Sequence, residues 1–371
     1  MKTPFPEIKK NFGFGVMRLP IVDGKTDPEA FCQMVDSFLE HGFNYFDTAH
    51  GYMEGQSELM IRQCLTSRHP REKYLLTNKL SDSFFQTEAD IRPLFQQQLD
   101  ACGVDYFDFY LMHAQDHTNF VKYKACKAYE TALELRKEGK IRHFGISFHD
   151  SAQVLDQILT EYPQIEVVQI QFNYADFEDP SVQSRLCYEV CRKHNKPVIV
   201  MEPVKGGNLV NLPEEADRIF RQLNGGSNAS YAIRFAASFE GACMVLSGMN
   251  TLQMVNENIS FMENFQPLNH EEYNAISQVR GIFNQQNLIG CTACRYCCDG
   301  CPKKIDIPVL FACMNAKNTF KTWNATFYYK SIHTAGAAKA SDCIGCGACE
   351  KICPQHLPIR ELLASVAKEF D

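Results

Sequence analysis

Two runs of cysteine near the end of the chain share one spacing, C-x2-C-x2-C-x3-C-P. Four thiolates at this spacing can hold a cubic [4Fe–4S] cluster. A single run would also fit a zinc site or a chance pattern, whereas two complete runs predict two [4Fe–4S] clusters. The predicted ligands are Cys291, Cys294, Cys297 and Cys301 in the first run, and Cys343, Cys346, Cys349 and Cys353 in the second.

In proteins with two such runs, the fourth cysteine of each run ligates the cluster of the other. We therefore predict that Cys353 completes the cluster of the first run and that Cys301 completes the cluster of the second. Cys298 lies beside a predicted ligand and is not needed for either cluster. Clusters of this kind transfer electrons or dock a redox partner protein, and the alternative is that they only hold the domain together.

Four reactive side chains, Asp47, Tyr52, Lys79 and His113, lie at or just after the ends of successive apolar segments. Each has an ordinary explanation alone, as a helix cap, a packing residue, a solvated charge or a hydrogen-bonded histidine. Together they suit carbonyl reduction. A buried Lys79 ammonium is expected to lower the pKa of Tyr52, so that the phenol can act as a general acid. Asp47 would hold the ammonium, and His113 would orient the carbonyl oxygen, while a cofactor supplies hydride.

The elements that must position these groups are short apolar segments that alternate with amphipathic stretches up to about residue 265. Such alternation indicates parallel βαβ units, and eight repeats favour an α/β fold of the (β/α)8 TIM barrel type over a doubly wound sheet. No G-x-G-x-x-G follows a strand candidate. The predicted strands are Gly13–Leu19, Phe43–Asp47, Tyr74–Lys79, Phe107–His113, His143–Ser147, Val167–Gln171, Pro197–Glu202 and Cys243–Gly248.

After about residue 284 cysteine becomes dense and the alternation stops. The long interval between the two runs contains the helix-compatible stretch Val309–Lys317, so we expect a small, mostly helical ferredoxin-like dicluster domain. The predicted organisation is a barrel over residues 1–265, a connecting segment over 266–283 and the dicluster domain over 284–371. An extra segment, Leu209–Leu223, is expected to carry a short helix.

The segment Asn44-Tyr-Phe-Asp-Thr-Ala-His-Gly-Tyr52, followed by Ser57-Glu58, resembles the aldo-keto reductase superfamily, and the whole chain is similar to its bacterial subgroup with a C-terminal 4Fe-4S dicluster domain. The resemblance implies a (β/α)8 barrel that reduces aldehydes or ketones with NADH or NADPH, using Asp47, Tyr52, Lys79 and His113. By the same resemblance, the residues expected to contact the cofactor are Ser147, Gln169, Pro203, Gly206, Gly207, Gly248, Met249, Glu257 and Asn258.

The chain departs from the family pattern at three places. Phe148 follows the serine where many members have asparagine, and Met201-Glu202 stand where many have a tyrosine under the nicotinamide. Gly248 and Met254 occupy positions where many members carry a cation for the 2′-phosphate, so NADH is at least as well supported as NADPH. The nearby His50 and His149 are candidates to line the substrate pocket.

The substrate expected for the barrel is a small carbonyl compound, with a redox partner protein for the clusters. A flavin would convert a two-electron hydride into single electrons, but we find no clear flavin signature. The alternative function is an iron–sulfur electron-transfer protein whose barrel binds a ligand or redox partner without hydride chemistry.

A net charge of −7 and the lack of a Lys/Arg run disfavour nucleic acid and anionic membranes as partners. The N-terminal residues include no apolar signal-like region, and no stretch has the length of a membrane span, which predicts the cytoplasm. Nine of the 17 cysteines lie outside the runs, and we expect most of them to be small, unpaired core residues in a reducing compartment rather than disulfide partners.

Overall fold

The computed structural model describes the chain except for a few short segments. The described residues are 4–179, 182–223, 226–285, 288–291, 295–320, 325–326, 329, 338–353 and 355–371. Cys294, one of the predicted cluster ligands, lies outside them. The described chain divides into two compact units, and residues 207–228 group with the C-terminal residues rather than with the barrel. The predicted domain boundaries at residues 265 and 284 stay predictions.

The first unit is a closed barrel of eight parallel strands, in which each strand pairs with its neighbours along the chain and β1 pairs with both β2 and β8. The TIM-barrel prediction is therefore confirmed. The strands are β1 Phe12–Gly15, β2 Tyr45–Asp47, β3 Leu75–Leu80, β4 Phe107–Gln115, β5 Ile141–Phe148, β6 Val167–Gln171, β7 Val198–Met201 and β8 Ala242–Gly248. A two-stranded hairpin, Ile21–Val22 with Lys25–Thr26, follows β1.

The helices alternate with these strands. They are α1 Pro28–Glu40, α2 Gln56–Ile61, α3 Glu88–Cys102, α4 His117–Ala125, α5 Ala128–Lys137, α6 Ala152–Glu161, α7 Ser184–Lys193, α8 Glu214–Arg221, α9 Asn228–Ala237 and α10 Leu252–Met262. The short helix expected in the extra segment Leu209–Leu223 is α8. Among the helices in the described part of the chain, none is long and apolar enough to cross a membrane.

Helix α3 shows how local sequence sets an element that supports the site. Thr87 and Asp90 form a capping box at its start, which is worth about 1 kcal/mol. Gly103 ends the helix at a φ of 68°, a left-handed conformation that glycine adopts without steric cost. The helix buries one face, on which the amide of Gln98 donates to the backbone carbonyl of Lys79 at 2.9 Å. Helix α3 thereby fixes the end of β3.

The N-terminal residues close the barrel at the end where its strands begin. Phe5 and Ile8 are buried in a cluster with inward-facing strand residues such as Phe109. The ring of Phe5 meets that of Phe109 edge-on at 5.0 Å, and His143 Nε2 lies 2.5 Å from Glu7 Oε1. The lower opening is thus filled by side chains, so chemistry is confined to the opposite end, where the strands finish.

The second unit contains helices α11 His270–Gln285, α12 Tyr296–Asp299, α13 Ile307–Phe320, α14 Ala348–Ile352 and α15 Ile359–Phe370. Helix α13 contains the predicted stretch Val309–Lys317, and the described part of this domain is mostly helical, as expected. Its core combines apolar residues such as Leu310, Phe311 and Val366 with the cluster-run cysteines Cys297 and Cys349. Residues around the cysteine runs therefore form the core of the domain itself.

Most of the cysteines outside the two runs are small, unpaired core residues, as expected, but one pair forms a disulfide. Cys102, Cys126, Cys187, Cys191, Cys243 and Cys313 are buried and unpaired, as small core residues. Cys32 on α1 and Cys64 after α2 instead form a disulfide, so the expectation is wrong for this pair. Their Cα atoms are 4.6 Å apart, within the range that a disulfide spans, although 32 residues separate them in sequence.

Candidate functional site

The four predicted catalytic side chains come together at the mouth of the barrel. Lys79 Nζ lies 2.5 Å from Asp47 Oδ1 and 2.8 Å from the carbonyl oxygen of Thr48, and its side chain is fully buried. The ammonium also lies against Tyr52, at 4.8 Å from the centre of its ring. The rings of Tyr52 and His113 meet edge-on at 5.8 Å between centroids.

The loop that carries Tyr52 is fixed by the residues after it. The backbone N–H of Tyr52 donates to the carbonyl of Ala49 at 3.0 Å. Ser57 Oγ donates to the carbonyl of Val16 at 2.7 Å and lies 2.6 Å from Thr48 Oγ1. Ser57 therefore ties the start of α2 to the ends of β1 and β2, and Tyr52 lies on the short turn between these anchors.

Glu58 is the centre of a buried polar network behind the site. Its carboxylate accepts from Asn78 Nδ2 at 2.8 Å and lies 2.7 Å from His50 Nδ1. The side-chain oxygen of Asn78 accepts the backbone N–H of Lys79 and also a hydrogen bond from Gln98. Because each buried polar group is paired, the network holds the backbone of Lys79 without an unsatisfied donor.

The electrostatics of the site agree with the expectation for Lys79 but not for Tyr52. Burial opposes the charge on Lys79, yet the Asp47 carboxylate raises its pKa, so that the ammonium is retained at neutral pH. Burial also raises the pKa of Tyr52, and the opposing effect of Lys79 does not outweigh burial together with the Asp47 and Glu202 carboxylates. The expectation of a lowered Tyr52 pKa is therefore wrong for this structure, and Lys79 limits the rise rather than reversing it.

His113 is held neutral by its surroundings. Burial, the Lys79 ammonium and the nearby His149 lower its pKa to about 3. Nδ1 of His113 lies 2.6 Å from Ser81 Oγ. When the serine hydroxyl donates to Nδ1, the ring proton is on Nε2, and His113 can donate it to a carbonyl oxygen. A role for Ser81 was not predicted. Ser81 lies two residues after Lys79, and side chains two residues apart in an extended strand point to the same side.

The predicted cofactor residues occupy the same end of the barrel. Ser147 Oγ accepts the N–H of Ala114 at 2.8 Å, and Gln169 Nε2 donates to Asp47 Oδ2 at 3.2 Å. The side chain of Asn258 is buried and lies 3.4 Å from Ser247 Oγ, so it faces the fold, whereas Glu257 beside it is exposed. Of the remaining residues, Pro203 and Met249 are buried, Gly206 and Gly207 belong to a tight turn, and Gly248 ends β8.

Two histidines considered for the substrate pocket lie at this mouth. His149 directly follows the end of β5 and is exposed. His50 packs edge-on against Phe84 at 4.7 Å and is oriented by Glu58. Both positions are compatible with a pocket lining.

The cysteine runs line two separate cavities in the second unit. The first cavity is lined by Cys291 and Cys297 of the first run together with Cys353 of the second. The second is lined by Cys343, Cys346 and Cys349 together with Cys301 of the first run. The fourth cysteine of each run thus faces the cavity of the other run, as predicted for crossed ligation. Cys294 lies outside the described residues.

The donor set fits iron–sulfur clusters. Each cavity is lined by thiols from two distant segments, and thiolates are the ligands of [4Fe–4S] clusters. Among the described residues, no three histidine, cysteine or carboxylate side chains are arranged to hold a single metal ion. Cysteines of both runs line each of the two cavities.

Comparison with known proteins decides the family. The model of the aldo/keto reductase family matches residues 11–280, and that of the 4Fe-4S dicluster domain matches residues 282–357. The chain belongs to the aldo/keto reductase family. Solved structures with the same fold include an aldo-keto reductase from Bacillus halodurans in its holo form, with 24% identity, a TM-score of 0.59 and coverage of 72% of this chain and 91% of that one.

Among curated proteins, the NADH-specific methylglyoxal reductase of Escherichia coli is 28% identical over 195 residues, or 47% of this chain, and the match spans only 57% of that relative's length. An uncharacterised oxidoreductase of Bacillus subtilis is 22% identical over 297 residues, covering 71% of this chain and 90% of that protein. A structure of an aldo-keto reductase from Klebsiella pneumoniae in complex with NADPH has 17% identity and a TM-score of 0.61, and covers 76% of this chain and 96% of that one.

Proposed function

We propose that this aldo/keto reductase family member reduces an aldehyde or ketone to an alcohol with NADH or NADPH, and that its C-terminal domain holds two [4Fe–4S] clusters. The observation that carries the proposal is the contact of the buried Lys79–Asp47 ion pair with Tyr52, beside the neutral ring of His113. A bound nicotinamide would supply the hydride. Ser147 and Gln169 are proposed to hold the nicotinamide carboxamide, and the loop around Pro203–Gly207 is proposed to line the pyrophosphate and ribose.

The protein's own contribution is to place and move a proton. The Lys79 ammonium lies beside the phenol of Tyr52, whose proton is the one that we propose goes to the substrate. As this proton leaves, the negative charge that develops on the phenol oxygen lies beside the ammonium, which lowers the cost of the transfer. His113, neutral with its Nδ1 at Ser81, offers Nε2–H to the carbonyl oxygen and sets the position of the substrate.

We propose Cys291, Cys294, Cys297 and Cys353 as ligands of one cluster and Cys301, Cys343, Cys346 and Cys349 as ligands of the other. The cavities described above support this crossed assignment. A cluster takes one electron and a nicotinamide carries two, so a direct relay between them would need a converter such as a flavin. We therefore assign the clusters to one-electron exchange with a redox partner protein.

The test of the reductase is oxidation of NADH and NADPH by the anaerobically purified protein with a panel of small aldehydes and ketones. Replacing Tyr52 with Phe should lower turnover by a factor of about 10²–10⁴, the usual contribution of a general acid, while cofactor binding is retained. Full turnover in this variant would exclude Tyr52 as the acid. Failure of the wild-type protein to oxidise either cofactor with any carbonyl would favour the alternative, an electron-transfer protein.

The test of the clusters is the double replacement of Cys346 and Cys349 with Ser. Unchanged cofactor-linked turnover in the folded variant, together with loss of electron exchange with a one-electron dye, is expected if the clusters serve a partner. Loss of carbonyl reduction in a variant whose barrel still binds NADH would show that the barrel's reaction uses the clusters.

A further inference from the structure

Arg18 lies on the loop between β1 and α1, at the end of the barrel where the proposed catalytic residues meet. The loop is anchored on both sides of this residue. Before it, the buried Val16 donates its backbone N–H to the carbonyl of Asp47 at 2.8 Å, and after it the side chain of Leu19 is buried. Arg18 itself is exposed. The loop therefore holds the backbone of the arginine in place while its side chain faces solvent.

The side chain of Arg18 lies across Gly248, the last residue of β8. A Cβ atom added to Gly248 would lie 3.2 Å from Cδ and 3.6 Å from Nε of Arg18. Glycine at this position thus leaves the space that the arginine occupies. Gly248 is one of the residues expected to contact the cofactor, and β8 pairs with β7, whose following loop, Pro203–Gly207, is proposed to line the pyrophosphate. Arg18 therefore lies at the part of the rim proposed for the cofactor phosphates.

The guanidinium group of Arg18 is available to a further anion. Within the described residues, it makes no hydrogen bond to a side chain and no ion pair within 4 Å. Burial raises the pKa of Glu202, and the charge of Arg18 opposes this rise from beyond ion-pair distance. Lys205, by contrast, is engaged by Asp176, at 2.5 Å between Nζ and Oδ1. The arginine is thus an uncommitted cation at the barrel mouth.

A guanidinium group suits the pyrophosphate of a nicotinamide dinucleotide. This group carries two negative charges, and because the chain has a net charge of −7, a local cation is needed to offset the repulsion. No G-x-G-x-x-G follows a predicted strand, so the chain lacks that glycine-rich means of binding phosphates. Arginine can donate two parallel hydrogen bonds to phosphate oxygens, a geometry that lysine does not offer.

We propose that Arg18 binds the pyrophosphate of NADH or NADPH, and that Gly248 is small so that the arginine can lie across it. This inference rests on the proposed reductase function. It makes Arg18 a residue that sets cofactor affinity. Arg18 would not select between NADH and NADPH, because both carry the same pyrophosphate.

The experiment is isothermal titration calorimetry of the anaerobically purified full chain with NADH, NADPH and ADP-ribose. ADP-ribose contains the pyrophosphate but no nicotinamide, so its binding reports on the phosphate contacts without hydride chemistry. The variants are Arg18→Gln and Arg18→Lys. Lys25→Gln is the matched control, because it removes an exposed cation from the hairpin of the same loop. Thermal unfolding shows whether each variant is folded.

Arg18→Gln should weaken the binding of all three ligands by the same factor, about tenfold to a hundredfold, since it removes charge-assisted hydrogen bonds. Arg18→Lys keeps the charge but loses the paired hydrogen bonds, so its affinities should lie between those of Arg18→Gln and wild type. Lys25→Gln should bind like wild type.

Wild-type affinity of Arg18→Gln for all three ligands would overturn the inference while leaving the reductase proposal intact. A loss confined to NADPH would overturn it as well, because it would assign Arg18 to the 2′-phosphate. An equal loss in Lys25→Gln would show a general effect of charge and not a contact. If Arg18→Gln does not fold, Arg18→Lys decides by the same comparison. Failure of the wild-type protein to bind any of the three ligands would overturn the reductase proposal together with this inference.

Discussion

Ser81 Oγ and His113 Nδ1 lie 2.6 Å apart at the mouth of the barrel, so a residue outside the predicted tetrad fixes which nitrogen of the imidazole can face a substrate. The pKa of His113, lowered to about 3, means that this geometry applies to a neutral ring throughout the ordinary pH range. Hydrogen bonding at one ring nitrogen determines the function of the other.

Replacing Ser81 with Ala should therefore lower kcat by about tenfold, since a lost hydrogen bond of this kind is worth about 1 kcal/mol or more. The reason is that the ring would sample both tautomers and more than one orientation. Steady-state kinetics between pH 5 and pH 9 provides the measurement. Ser81→Thr keeps the hydroxyl and should recover most of the activity. A purely structural role would instead lower thermal stability in Ser81→Ala with kcat unchanged.

The crossed lining of the two cavities predicts an uneven outcome for pairs of cysteine replacements. Cys301→Ser combined with Cys346→Ser should remove about half of the iron, because both residues face the same cavity. Cys301→Ser combined with Cys291→Ser should remove nearly all of it, since these residues face different cavities. Iron and sulfide analysis with electron paramagnetic resonance of the reduced protein distinguishes the two. Cys298→Ser is the control, and the opposite order of losses would refute the crossed assignment.

His143 should make the stability of the closed lower end of the barrel depend on pH. Burial opposes its charge, but hydrogen bonds to Glu166 and Glu7 outweigh this and raise the pKa of His143 above its ordinary value of 6.5. A raised pKa in the folded state gives a stabilisation that is complete below about pH 6.5 and is lost as the pH rises through the folded-state value.

The corresponding measurement is urea unfolding of wild type and His143→Gln between pH 5.5 and pH 8.5. The difference in unfolding free energy should be largest at the acid end and shrink as the pH rises. Glu7→Gln should reduce this pH dependence, because it removes one of the two carboxylates. A difference in unfolding free energy that grows towards alkaline pH would contradict the raised pKa of His143.

The disulfide between Cys32 and Cys64 should contribute measurably to stability when it is formed. Closing a loop between residues 32 positions apart typically stabilises a fold by about 2–4 kcal/mol. Denaturant unfolding of the barrel with and without a phosphine reductant measures the difference. The double variant Cys32→Ser, Cys64→Ser should unfold like the reduced wild type under both conditions. Peptide mapping that finds both thiols free in air-exposed protein would exclude the bond.

Much of the active end of the barrel could be predicted from residue order alone. Asp47 ends β2, and Lys79 and His113 lie near the ends of β3 and β4, so the closure of the barrel brings them to one mouth. Strand ends were less certain. β1 is only Phe12–Gly15, shorter than the predicted Gly13–Leu19, because the chain turns away after Gly15. An apolar run does not reveal where pairing stops.

The features that the sequence did not reveal depend on distances across the fold. The pKa of Tyr52 is a balance among burial, one ammonium and two carboxylates, and only the lysine and aspartate of that set were anticipated. Cys32 and Cys64 are distant along the chain, and their pairing follows from the packing of α1 against the segment after α2. Glu202 was noted as a departure from the family pattern, but its left-handed backbone conformation, with a φ of 57°, needed coordinates.

The exchange of Cys301 and Cys353 between the two cavities has a consequence for biosynthesis. The first cluster would have its full set of protein ligands only after Cys353 has been translated, and the second only after Cys349. Neither cluster would therefore be complete until the second cysteine run has been made. If the barrel folds first, starvation for iron should leave folded barrels joined to a C-terminal domain that lacks the proposed clusters.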